Sequence, residues 1–191
     1  MKIIVITTPK VTNKDTNIIK ALLDGGVDII HLRKPNSHID KCRKILETLD
    51  DDYRAKIVIH NYPELYTEYS LKGIHQNRII TTLPEGYNGL KTRSCHTFEE
   101  VVQHKGNCDY LLLSPIFNSI SKEGYTSKFT HDALIQATKE GVIDERVIAL
   151  GGITFDKINY LRDLKFGGVA MLGAIYNMHA PSLLKAYINH R

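Results

Sequence analysis

Val147-Ile148-Ala149-Leu150-Gly151-Gly152-Ile153-Thr154 decides the fold, together with a second run one helical segment later, Phe166-Gly167-Gly168-Val169-Ala170-Met171-Leu172-Gly173. Each apolar run is short and does not alternate with polar residues, the pattern of a strand buried on both faces of a parallel sheet. Each run ends in glycine. Glycine at a strand's C-terminal end, ahead of a helix, lets backbone N–H groups approach an anion. Two such ends on neighbouring strands make a cup for one phosphate, and Gly151, Gly152, Gly168 and Gly173 are its candidate lining. In an eight-stranded α/β barrel the loops after strands 7 and 8 are the usual phosphate site. Tight turns alone also use glycine pairs, so the strand count has to carry the weight.

Working outward, Ile3–Thr7, Asp28–Leu32, Lys56–Ile59, Gly73–His75, Leu90–Cys95 and Tyr110–Leu113 read as further strands. Helices are expected from Asn13 to Leu23, Ser37 to Leu49, Pro63 to Leu71, Thr97 onward, His131 to Lys139 and Pro181 to Ile188. Asp15 or Thr16 is placed to cap the first, and Thr97 with Glu100 forms a capping box for the fourth. The segment Ile79–Gly89 is the weakest part of the pattern, so a helix there is very short or absent. Asn118–Thr130 is long for a connection from strand to helix and reads as a functional lid. The alternation predicts a compact (β/α)8 TIM barrel, in the α/β class, as one domain over residues 1–191. The runner-up, an open doubly wound sheet, is weakened because Thr7-Thr8-Pro9-Lys10 lacks a dinucleotide glycine fingerprint.

The net charge is +4 with Lys and Arg scattered, which disfavours a nucleic-acid platform and leaves room for a small anionic ligand. Cys42, Cys95 and Cys108 form neither a zinc ribbon nor a disulfide framework. With no signal peptide and no apolar run of membrane-spanning length, the expectation is a cytoplasmic protein without a membrane partner. The strand ends carry Arg33, Lys34, His60, Asn61, Gln76 and Arg78 in the first half of the chain. In the second half they carry Ser94, His96, Ser114, Ser119, Ser121 and Lys122. Cations and hydroxyls without carboxylates suit a phosphate-bearing ligand and offer no confident metal site. Ser94 and His96, two apart at a strand end, share a face, whereas Cys95 between them points into the core.

The ordered motifs resemble the thiamine phosphate synthase family, which includes the TenI-type thiazole tautomerases. His31-Leu32-Arg33-Lys34-Pro35 looks like the family's Gln-Leu-Arg-Glu-Lys, and Ile59-His60-Asn61-Tyr62 stands where Ile-Asn-Asp-Arg is typical. Gly73-Ile74-His75, Ser94-Cys95-His96-Thr97, Asp109 through Lys122, Gly151-Gly152-Ile153 and Gly167-Gly168-Val169-Ala170 complete the series. The resemblance implies a barrel, often homodimeric, serving thiamine biosynthesis on small phosphorylated thiazole and pyrimidine substrates. Synthases of the family join an aminopyrimidine pyrophosphate to thiazole phosphate with Mg²⁺. Arg33, Lys122, Ser94, Ser119 and Ser121 match positions that stabilise the leaving pyrophosphate, and the glycine cups match the thiazole-phosphate site.

The departures matter as much. Asn61 replaces the family's metal-binding Asp, His60 its neighbouring Asn, and Pro35 the second Lys. Gln76-Asn77-Arg78-Ile79-Ile80 holds no carboxylate where a second Asp is expected, and Arg78 is a candidate substitute for the metal's charge. Losing two carboxylates weakens Mg²⁺ binding. The first expectation is therefore a tautomerase-like enzyme that needs no metal, with His96 as the acid/base. A Mg²⁺-dependent synthase, with Arg33 and Lys122 as catalytic groups, is the second, and a non-catalytic binder of thiamine intermediates the third.

Overall fold

Strand order runs β1-β2-β3-β4-β5-β6-β7-β8 around a closed barrel in the computed structural model, which describes residues 1–118 and 129–176. The strands are β1 Lys2–Ile6, β2 Ile29–Leu32, β3 Ile57–Ile59, β4 Gly73–Gln76, β5 Leu90–Cys95, β6 Tyr110–Leu113, β7 Val147–Leu150 and β8 Gly168–Met171. Between them lie α1 Asp15–Asp24, α2 Ile39–Glu47, α3 Asp51–Arg54, α4 Glu64–Tyr69, α5 Phe98–Lys105 and α6 His131–Lys139. A 3₁₀ turn, Phe155–Lys157, leads into α7 Ile158–Asp163, and α8 Gly173–Tyr176 follows β8. The expected (β/α)8 barrel is the fold. No helix separates β4 from β5, as the weak pattern there foretold. The expected helix Pro181–Ile188 and most of the Asn118–Thr130 lid lie outside the described residues.

Contacts group the described chain into two units, one built on Met1–Ile4 with the residues from Thr92 onward, the other on Val5–Lys91. In the first, β6 pairs with β7 (Leu111↔Val147, Leu113↔Ala149) and β7 with β8 (Ile148↔Gly168, Leu150↔Ala170), all parallel. Tyr110–Leu113 and Gly168–Met171 are buried at every position, which is what non-alternating apolar runs require. Thr97 accepts a hydrogen bond from the Glu100 N–H at 3.2 Å, while the Glu100 carboxylate accepts from the His96 N–H at 2.5 Å, so the capping box at the head of α5 forms with its return bond shifted to the residue before the cap.

In the second unit β2 pairs with β3 (Ile30↔Ile57, Leu32↔Ile59) and β3 with β4 (Val58↔Gly73, Ile59↔Ile74). The end of β2 is tied to the segment after β1 by a buried ion pair. Lys34 Nζ donates to Asp15 Oδ1 at 2.8 Å, to the Lys10 carbonyl at 2.8 Å and to the Thr8 carbonyl at 3.0 Å. The two charged side chains are 0% and 2% exposed. Asp15 therefore does not cap α1 as expected: Lys14 holds that position without a side-chain bond. The other Asp15 oxygen accepts from the Thr12 N–H at 2.7 Å.

Removing one partner of a buried pair strands the other charge, at a cost of about 3–5 kcal/mol, whereas replacing both by apolar residues is far milder. Lys34→Met is expected to lower urea-unfolding stability by about 3–5 kcal/mol, and Asp15→Leu added to it to restore much of the loss. A loss under about 1 kcal/mol in the single variant, the level of a surface pair, would show that the pair does not hold this segment.

Candidate active site

Strand register accounts for the position of His96. Cys95 pairs with Leu113 across β5 and β6, so the next residues, His96 and Ser114, meet just beyond the strands. His96 Nδ1 lies 2.9 Å from the Ser114 carbonyl oxygen and 3.4 Å from its Oγ. A carbonyl can only accept, so Nδ1 carries the proton and Nε2 of the neutral ring keeps the lone pair. Ser94, half-buried and two residues earlier, lies on the same side of β5. Cys95 is fully buried, and burial pushes its thiol up to about 12, which removes it as a nucleophile.

Two of the glycines expected to line a phosphate cup sit in the turn after β7. Gly151 and Gly152 follow β7 with φ of +95° and +64°, a region L side chains rarely adopt. A Cβ on Gly152 would lie 2.3 Å from the Asn118 carbonyl oxygen, and one on Gly151 2.8 Å from Pro115. The segment after β6 packs against this turn, with the Ile116 and Phe117 N–H groups donating to the Leu150 and Gly151 carbonyls at 2.9 and 3.0 Å. Lys157, which sequence reasoning missed, donates to the Gly152 carbonyl at 2.9 Å and sits 4.3 Å over the Phe117 ring. A cation thus stands beside the Gly151-Gly152 turn. Gly173 opens α8. Gly168, expected in the same cup, is instead the first residue of β8, at the opposite end of that strand. A Cβ there would meet the Lys2 carbonyl at 2.7 Å, so packing accounts for it. Ser119, Ser121 and Lys122 lie outside the described residues.

The second unit contains Arg33, His60, Asn61 and Arg78. Arg33 is half-buried, with its N–H donating to Thr7 Oγ1 at 2.9 Å. Arg78 is exposed at the tip of a turn in which Asn77 Oδ1 accepts from the Ile79 and Ile80 N–H groups at 2.8 and 3.0 Å. Asn77 Nδ2 donates to the His60 carbonyl at 2.9 Å. The Asn61 Oδ1 atom is buried with no hydrogen-bond partner, and the next residue, Tyr62, holds a left-handed φ of 60°. A bulky residue in that region is costly and tends to mark a functional site.

His60 also belongs to a group that the sequence reading did not assemble. His31, His60 and His75, on or just beyond β2, β3 and β4, are all buried, and one ring nitrogen from each lies within 4.8 Å of the others. His31 Nδ1 and His60 Nε2 are 2.7 Å apart, and the His60 and His75 rings stack at 4.0 Å. Desolvation, then the charge His75 would carry, holds His31 and His60 well below the usual histidine range. Arg33 adds to the effect on His60.

A family model described as thiamine monophosphate synthase, the TMP-TENI family, matches residues 3–175. The chain belongs to this family. It is 29% identical over 161 residues to the thiamine-phosphate synthase of Halalkalibacterium halodurans, covering 79% of this chain and 75% of that one. To the thiamine-phosphate synthase of Bacteroides thetaiotaomicron it is 26% identical over 178 residues, 84% and 82% of the two chains. A solved thiamine phosphate pyrophosphorylase from B. thetaiotaomicron superposes with a TM-score of 0.86 at 35% identity, covering 98% of this chain and 93% of that one.

The Mg²⁺ that synthase chemistry implies is a poor match to the donors after β3 and β4. Mg²⁺ is held through carboxylates and substrate phosphates in near-octahedral geometry. Here the described side-chain oxygens are neutral amides: Asn61 Oδ1, that of Gln76, and that of Asn77, already committed to its own turn. Among the described residues, those after β3 and β4 do not fit a carboxylate-anchored Mg²⁺.

The histidine group gives a pH signature. The unfolded chain protonates these rings near pH 6.5, whereas folded His31 and His60 resist it. Below about pH 6.5 the unfolded state binds more protons, so stability is complete above that pH and falls as pH drops toward the folded values. With EDTA present, the acid-side slope is expected to reach about 1.4 kcal/mol per pH unit for each proton withheld. His60→Asn should flatten it. Urea titrations from pH 7.5 to 5 that show equal slopes in both proteins would remove His60 as the cause.

Proposed function

We propose that this family member acts in thiamine biosynthesis by binding a thiazole phosphate beside the Gly151-Gly152 turn and moving a proton on the thiazole ring with His96, as a tautomerase. The observation that carries the reading is the His96 Nδ1 contact to the Ser114 carbonyl at 2.9 Å. It leaves Nε2 with its lone pair, so the imidazole can take a proton from one carbon of a carboxylated, non-aromatic thiazole isomer and return it to another as the double bond moves. Atoms balance in such a double-bond shift, and no leaving group has to be neutralised. The phosphate provides binding energy remote from the reacting bond, for which backbone N–H groups and the Lys157 ammonium suit a dianion. The missing carboxylates after β3 and β4 then have no bearing on the chemistry.

The names of the relatives favour a second reading, in which the chain joins an aminopyrimidine pyrophosphate to thiazole phosphate. One set of assays separates the two. His96→Asn is expected to lower isomerisation kcat by about 10²–10⁴-fold, as for loss of a general acid/base, with thiazole-phosphate Kd changed only a few fold. Mg²⁺-dependent formation of thiamine phosphate by the native protein would overturn the tautomerase reading. Tight thiazole-phosphate binding with neither turnover would make the protein a binder of thiamine intermediates.

A further inference from the structure

We propose that His31, His60 and His75 form a binding site for one divalent transition-metal ion of the zinc class. The inference stands apart from the thiazole reading, since it uses other residues and needs no substrate.

Strand register brings the rings together. Ile59 pairs with Ile74, so the following residues, His60 and His75, fall side by side on β3 and β4. Leu32 pairs with Ile59, which sets Arg33 beside His60 and puts His31, two residues back along β2, on the same face. Three consecutive strands thus deliver one imidazole each to one side of the sheet. All three are nearly shut off from water, at 0%, 6% and 3% exposure. Apolar side chains fill comparable strand positions elsewhere, as in Tyr110-Leu111-Leu112-Leu113, whereas these three strands each place an imidazole there. Among the described residues this is the group of histidines, cysteines and carboxylates whose ligand atoms converge closely enough to share an ion.

The spacing suits a first-row ion. Zn–N bonds of about 2.0–2.1 Å in tetrahedral geometry put ligand nitrogens about 3.3 Å apart. The separations here bracket that figure, from 2.7 Å between His31 and His60 up to an outer limit of 4.8 Å. His60 and His75 stack with planes 14° apart, so their in-plane lone pairs lie in two nearly parallel planes that cannot both contain one ion. Binding therefore requires one of these two rings to turn toward the ion and the short His31–His60 contact to open. Imidazole selects zinc, copper, nickel and iron over Mg²⁺. Three histidines leave a fourth position for water or an anion. The Arg33 charge opposes a second cation, and an anion in that position offsets it.

The test uses the full-length protein, stripped with chelator and titrated with ZnCl2 by calorimetry, with Co²⁺ absorption and imidazole ¹⁵N NMR alongside. One equivalent is expected, with a tetrahedral Co²⁺ band and shifted ring nitrogens of His31, His60 and His75. His31→Gln, His60→Asn and His75→Gln should each weaken the equivalent by at least about 100-fold. The exposed His38→Gln should leave it intact, and millimolar Mg²⁺ should not compete. The NMR and Co²⁺ readouts on the native chain stand even if a variant fails to fold. No stoichiometric equivalent, an equivalent lost with His38→Gln, or ring shifts confined to other histidines would each overturn the site.

Discussion

Lys34 ties the end of β2 to the chain entering α1 through a constraint that admits few solutions: an ammonium group with no access to water must find several acceptors. It finds two backbone carbonyls on the stretch between β1 and α1 and a carboxylate on the first residue of α1. A flexible connection thereby becomes a fixed wall next to the end of β2. Arg33 is anchored by the same junction, through the Thr7 hydroxyl. Such a pair gains little net stability over apolar packing. Its consequence is placement, because the charge cannot move without leaving its acceptors behind.

With that end of β2 fixed, the electrostatics of β2, β3 and β4 take an unusual form for phosphate chemistry. A site for a metal-bound pyrophosphate gathers negative charge to hold the cation. Here the corresponding ends present Arg33, a buried neutral amide oxygen on Asn61, and imidazoles kept uncharged by burial. The arrangement repels protons and hard cations alike. What it offers is nitrogen lone pairs in a low-dielectric setting, which favour softer ions over Mg²⁺.

The barrel was legible because each strand is a short apolar run with both faces covered, so every residue of β6 and β8 reports the same thing. The capping box at Thr97 was legible for a local reason, since its partners lie within one turn of helix. Asp15 was misread because local rules suggest a cap, while its partner lies 19 residues away on another element. Gly168 was misassigned because glycine serves either for anion approach or for close packing, and only strand direction distinguishes the two uses. His31 and His75 passed as motif members because convergence of three rings is a property of register. Strand spacing on the page gives alternation along one strand but not alignment between strands.

Sequence likeness and local chemistry pull in different directions in this protein. Identity of 26–29% to chains named as synthases, spread over most of the length, reports the shared family and barrel. The reaction depends on a handful of atoms at strand ends, where a single Asp-to-Asn change removes a charge without disturbing the backbone. His96 retains its geometry through the β5–β6 register and the Ser114 carbonyl, neither of which depends on those carboxylates. The proton transfer proposed for His96 therefore makes no demand on metal ligands, whereas the group transfer named for the relatives does. The base and the phosphate turn proposed here follow β5 and β7, so neither proposed role calls on the side chains after β3 and β4.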